Sequence, residues 1–190
     1  YPVVFPGKKQ QQEPNTLVYA GKIAKNWNIL ELLDIMEKLK EKDPAVKLHF
    51  IGNKVNRDLA DQKQEIFSRL RNADNIIFHG ALPHSETERI TKRCCLGYSF
   101  RSSEVDHDHS LEVSVKLLEY CHSGVPVVLR RTRMHVAILG EDYPLFAESE
   151  EECLDKIRMA FDDPQVWEQA KACLSRSADR FSVEHIYGNV

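Results

Sequence analysis

In the stretch SLEVSVKLLEYCHSGVPVVLRR, residues 110 to 131, Glu112, Lys116 and Glu119 recur at three- and four-residue spacing before a Ser-Gly pair and a β-branched run. At about 100° per residue on a helix, these side chains and Ser123 share a narrow arc, with Val113, Leu117, Leu118 and Cys121 on the opposite side. One reading is a pair of intrahelical ion pairs, Glu112 with Lys116 and Lys116 with Glu119, each contributing about 0.3–0.5 kcal/mol if exposed. The other is a ligand-facing arc, with a carboxylate to accept hydroxyl protons and a lysine to meet an anion. The helix follows a strand-like run, so its first amides could receive negative charge. Lys22, directly after the strand-like TLVYAG, adds a cation at another strand end. Spacing alone leaves both readings open.

Other chemistries find less support. Dinucleotide redox binding wants G-x-G-x-x-G after the first strand, where YAGKIAKNW has one glycine. The Gly-Lys pairs at 7–8 and 21–22 lack the upstream glycine and the following hydroxyl residue of a phosphate loop. Residues 106 to 109, DHDH, carry four potential metal ligands, but adjacent residues do not readily turn onto one ion, and the run reads as a solvated loop. No G-x-S-x-G elbow is present. The neighbouring Cys94 and Cys95 read as strand-edge core thiols.

The elements that must position these residues alternate. TLVYAG reads as a strand, and a helix with Ile29, Leu32, Leu33, Met36 and Leu39 at helical spacing runs to Asp43-Pro44. Then follow strand KLHFIGN, a helix from about 60 to 73, strand NIIFHGA, a helix from about 85 to 94, and strand CLGYSF. The helix near Ser110 leads to strand PVVLR, a short helix at RMHVAIL, strand LFAES and two closing helices. This order predicts an α/β, Rossmann-like three-layer sandwich with a parallel sheet of about six strands. Ligands gather at the carboxyl ends of such strands, near the point where strand order reverses.

With 190 residues, one domain is expected, and a formal net charge of −3 argues against nucleic acid as the main partner. Five cysteines without C-x-x-C spacing predict reduced thiols and a cytoplasmic protein, peripheral to a membrane at most; no run is apolar enough for a transmembrane segment. The polar start, with Tyr1 first, predicts an interdomain linker over 1–16 ahead of a domain over 17–190, cut from a longer protein.

The runs LVYAGKIAKNWNILELLDIM, LHFIGN, NIIFHGALPHSE and SVKLLEYCHSGVPVVL resemble the carboxyl-terminal, nucleotide-sugar-binding half of GT-B retaining glycosyltransferases of family 4, or group 1. The last run, similar to K-x-x-E-Y-x-x-x-G-x-P-V-[IV], is the most specific. By that resemblance, Glu119 holds the donor ribose hydroxyls, and Lys22, after Gly21, takes the place of a diphosphate-binding arginine. The backbone near Ser114 and Val115, with Lys116 beside it, borders the phosphates, and Leu82 and His84 border the base. A second phosphate-binding lysine is usual where Trp27 stands, and Lys25 is its nearest substitute. The family's earlier acidic residue falls at Leu111, one place before Glu112, which puts Glu112 in the site only after a rotation of about 100°.

The resemblance implies retaining transfer from a nucleoside diphosphate sugar with no cofactor and no obligatory metal. It also implies a carbohydrate or lipid-linked acceptor bound through an amino-terminal half, so that the 190 residues alone would transfer little sugar. A non-catalytic nucleotide- or sugar-binding module and a GT-B-type nucleotide-sugar epimerase are the alternatives, the latter drawing on His84, His107 and His109.

Overall fold

The computed structural model describes residues 12–110 and 114–180, and side chains as far as Ser177. Six parallel strands form one sheet: β1 (Glu13–Ala20), β2 (Lys47–Ile51), β3 (Ile76–Gly80), β4 (Cys94–Ser99), β5 (Val127–Arg130) and β6 (Phe146–Ala147). Their order is β3-β2-β1-β4-β5-β6, so direction of travel reverses between β1 and β4. The helices are α1 (Ile29–Lys42), α2 (Lys63–Asn72), α3 (His84–Arg93), α4 (Val115–Ser123), α5 (Arg133–Leu139), α6 (Glu150–Asp162) and α7 (Pro164–Arg180). The expected three-layer architecture is therefore present, with every expected strand in place.

Each element forms for a legible reason. Helix α1 buries Ile29, Leu32, Leu33, Ile35, Met36 and Leu39, and ends at Asp43, whose carboxylate accepts from Asn15 at 2.7 Å. On the sheet face toward α2, Tyr19, Phe50 and Phe78 form an aromatic row with centroid spacings of 4.9 and 6.0 Å, and Phe67 of α2 meets Phe78 edge-on at 5.7 Å. All five cysteines are free and buried; burial pushes the Cys94 thiol up to about 12, which suits packing rather than nucleophilic chemistry.

Two boundaries differ from the sequence reading. Strand β1 begins at Glu13, so the last residues of the expected 1–16 linker are sheet, with Glu13 paired in register to Cys94 and its carboxylate joined to Arg93. Polar residues at a strand's entry carry little periodic signal, because strands start where pairing starts. Helix α4 begins at Val115 rather than near Ser110. Its Leu118, expected on the buried side, is 38% exposed, and Tyr120 takes the inward position instead.

Tyr120 seats α4 on the sheet. Its hydroxyl donates to the Val18 carbonyl at 3.1 Å, and its ring lies flush on Gly97, where an added Cβ would sit 2.8 Å from ring carbons. Only a residue without a side chain allows that approach. Gly97→Ala is expected to cost about 1–3 kcal/mol through overpacking, read as a lower urea midpoint at unchanged slope. Tyr120→Phe, which keeps the ring, should cost about 1 kcal/mol.

Candidate functional site at the strand ends

The carboxyl ends of β1, β2 and β3 are stitched by backbone bonds that continue beyond the sheet. Gly21 N–H donates to the Ile51 carbonyl at 2.8 Å and Gly52 N–H to the Gly80 carbonyl at 2.6 Å. Gly52 has φ +129°, and a Cβ there would meet the Gly21 carbonyl oxygen at 1.9 Å, so this crossing demands glycine. Farther on, Ile23 bridges to Val55 in parallel, and Ile23 N–H donates to the Lys54 carbonyl at 2.8 Å. The result is a stiff ledge over the reversal point.

Onto this ledge α4 lowers Lys116. A Cβ on Gly21 would stand 2.2 Å from the Lys116 Nζ, so the glycine makes room for the ammonium. That Nζ also lies 5.5 Å from the centroid of the Tyr19 ring, and the Tyr19 hydroxyl donates to the Lys22 carbonyl. Burial pulls the Lys116 ammonium down from the ordinary lysine value to about 8; Glu119 opposes that fall, while Arg101 and Lys22 add to it. Three cations from three segments thus face one another.

Arg101, two residues past the end of β4, is missed by the sequence reading. It is 4% exposed and makes an ion pair with Asp106, itself 4% exposed, through Nε to Oδ2 at 3.0 Å and a second contact from Nη2 to Oδ1. Its own carbonyl accepts from Arg130 Nε at 3.0 Å. The signal that could have found it was positional: like Lys22, it is a basic residue just past a strand's carboxyl end.

The DHDH run divides its labour. Asp106 is spent on Arg101, Asp108 accepts from the Arg133 amide at 2.9 Å, and His107 and His109 face each other with ring centroids 6.2 Å apart. Among the described residues no group of three or more His, Cys, Asp or Glu converges as a metal site.

The other expected residues fall as follows. Gly21, Lys22 and Lys116 come together at the ledge. Ser114 is buried at the entrance to α4 and makes no side-chain cap, so it leaves the first-turn amides uncapped by its hydroxyl. Val115 is 67% exposed at the first position of α4. Glu119 is exposed, and among the described residues it closes no ion pair with Lys116, although it acts on that lysine's charge. The intrahelical pairing of these two is therefore not formed.

Lys25 is exposed, with its amide donating to Asp58 at 3.3 Å; its ammonium is not among the charges acting on Lys116, so it does not join the cluster. Leu82 packs partly against the core, and exposed His84 opens α3. Glu112 and Leu111 lie outside the described residues. A separate opening of about 670 Å³, lined by Asn53, Lys63, Phe67, Arg71 and Phe78, lies beside β3, and none of the expected donor-binding residues lines it.

The model of the family described as glycosyl transferases group 1 matches residues 4–178. The chain belongs to the group 1 glycosyltransferases. Its fold is that of the carboxyl-terminal half of a GT-B enzyme: it superposes on the C-terminal domain of the group 1 family protein LpcC from Francisella tularensis with a TM-score of 0.73 at 15% identity, covering 95% of this chain and 97% of that one. The pneumococcal O-GlcNAc transferase GtfA, solved with UDP and GlcNAc, gives a TM-score of 0.73 at 16% identity over 99% of this chain and 36% of that one. Anabaena HepE, solved with UDP and glucose, gives 0.70 at 15% identity over 93% of this chain and 47% of that one. This group 1 chain thus spans about a third to a half of these two larger proteins. No curated protein matches it significantly. Among the described residues no helix is long and apolar enough to cross a membrane.

The half-neutral lysine sets a pH signature for any anion bound at the ledge. An anion raises the Lys116 pKa, so binding takes up protons at and above about pH 8. Affinity for inorganic pyrophosphate should fall as pH rises through that value, measured by calorimetry in buffers of different ionisation enthalpy. Lys116→Met should weaken binding and remove the proton uptake.

Proposed function

We propose that this domain binds the diphosphate of a nucleoside diphosphate sugar at the ends of β1 and β4, and that the full-length protein transfers the sugar to an acceptor with retention of configuration. The observation that carries the reading is the convergence of Lys22, Lys116 and Arg101 on one ledge, where burial first, and the charges of Arg101 and Lys22 after it, lower the Lys116 pKa to about 8. A cluster of like charge is unfavourable unless a ligand of opposite sign completes it.

The first amides of α4, which the Ser114 hydroxyl does not cap, would add donors for the same negative charge. Glu119, one turn beyond Lys116 and free of an ion pair with it, would accept two hydrogen bonds from the hydroxyls of a ribose diol. Group 1 membership and the UDP complexes of GtfA and HepE support the same assignment.

In the transfer step, charge develops on the departing diphosphate as the sugar–phosphate bond breaks. Fixed ammonium groups and helix amides stabilise that charge where it appears, which lowers the barrier without a metal in that role. The acceptor and the remaining catalytic side chains would come from an amino-terminal half. A cytoplasmic setting, at most peripheral to a membrane, fits buried reduced thiols.

Titration with UDP, GDP, ADP and inorganic pyrophosphate tests the reading. Glu119→Gln should weaken the preferred nucleoside diphosphate by about 10- to 100-fold, since it removes a charge-assisted acceptor, while leaving pyrophosphate affinity within about twofold. Equal loss for both ligands, or no binding by the unaltered chain, would overturn the assignment. Excess EDTA should leave binding unchanged.

A further inference from the structure

Trp27 closes the short 3-10 turn Lys25–Trp27, at the place where the family resemblance expects a second phosphate-binding lysine. Its indole instead touches two cations. Lys22 Nζ lies 4.0 Å from the ring centroid, and Arg101 Cζ lies 5.5 Å from the same ring. Among the described residues the Lys22 ammonium makes its close contact with this indole face.

The ring is held firmly enough to act as a platform. Its side chain packs partly against the core, and its amide donates to the Ala24 carbonyl at 3.1 Å. The neighbouring Asn26 carbonyl accepts from Ser102 N–H at 3.0 Å, tying the turn to the loop that carries Arg101. The turn that carries the ring and the loop that carries Arg101 are therefore held together.

We propose that Trp27 is a positioning residue for the donor site: its indole face stores the Lys22 ammonium beside the strand ends and yields it to an incoming diphosphate. The inference rests on the diphosphate reading above. A lysine stem left in solvent samples many rotamers, and fixing it on binding costs affinity; parking it near its destination removes much of that cost. The negative face of the ring also offsets the repulsion between Lys22 and Arg101 while no anion is bound. A diphosphate carries full charges where the ring carries only a quadrupole, so the phosphate wins the ammonium when it arrives. The indole thus replaces a second positive charge with control over the first.

The test is a double-mutant cycle on the 190-residue chain, with inorganic pyrophosphate and UDP as probes and calorimetry as the readout. Trp27→Leu should weaken pyrophosphate binding by about 3- to 10-fold, whereas Trp27→Phe, which keeps an aromatic face, should stay within about twofold. Combined with Lys22→Met, Trp27→Leu should cost no more than Lys22→Met alone, a coupling that a purely structural role would not produce. In a Trp167→Phe background Trp27 is the sole tryptophan, and its emission should change on pyrophosphate binding in the presence of Lys22 but not in Lys22→Met. Thermal melting confirms that each variant folds, and if Trp27→Leu does not, the Lys22-dependent change in Trp27 emission carries the test, its persistence in Lys22→Met overturning the platform. Additive losses, or unchanged binding by Trp27→Leu, would overturn the platform alone; failure of the unaltered chain to bind either probe would overturn the diphosphate reading beneath it.

Discussion

The close approach of α4 to the sheet governs this domain. It depends on missing side chains: Gly97 beneath the Tyr120 ring and Gly21 beneath the Lys116 ammonium. Because interiors are packed near crystal density, one methyl group at Gly97 would have to lift the helix or bend the strand, and one at Gly21 would displace the Lys116 ammonium from the ledge. With the glycines in place, a buried aromatic anchors the helix while the residue one turn earlier delivers a charge to the ledge.

That delivery is electrostatically costly, and the surroundings show how the cost is distributed. Arg101 is neutralised by Asp106 inside the protein, while Lys116 and Lys22 lie over aromatic faces and, among the described residues, form no ion pair with a carboxylate. A carboxylate paired to each lysine would have given a quieter free domain and a poorer anion site, since a ligand would first have to displace it. Aromatic faces hold an ammonium weakly enough for a phosphate to take over. The depressed ammonium of Lys116 marks where compensation is left incomplete.

Much of the fold was legible because hydrophobic period and strand–helix alternation are local properties. The six strands and the runs of α1, α6 and α7 fall where the apolar spacing puts them, and Gly21, Lys22 and Lys116, named from the sequence, come together past the end of β1. The less legible parts involved contacts between distant segments. The start of β1 depends on pairing Glu13 with Cys94, and Arg101 joins the site through a loop folded back by Asp106 and by Ser102 bonding to Asn26. The exposure of Leu118 likewise reflects which face Tyr120 claims, a choice made by its hydrogen bond to Val18 rather than by the helical arc.

The sequence by itself determined the order of elements, the parallel sheet and the position of basic residues just after strands, because each follows from local periodicity and from the handedness of crossover connections. Only the tertiary structure decided which of those charges meet. Lys22 and Lys116 are ninety-four positions apart and Lys25 is only three from Lys22, yet Lys116 joins the cluster and Lys25 does not. The physical reason is that electrostatic and packing energies depend on distance through space, and the reversal of strand order between β1 and β4 sets those distances.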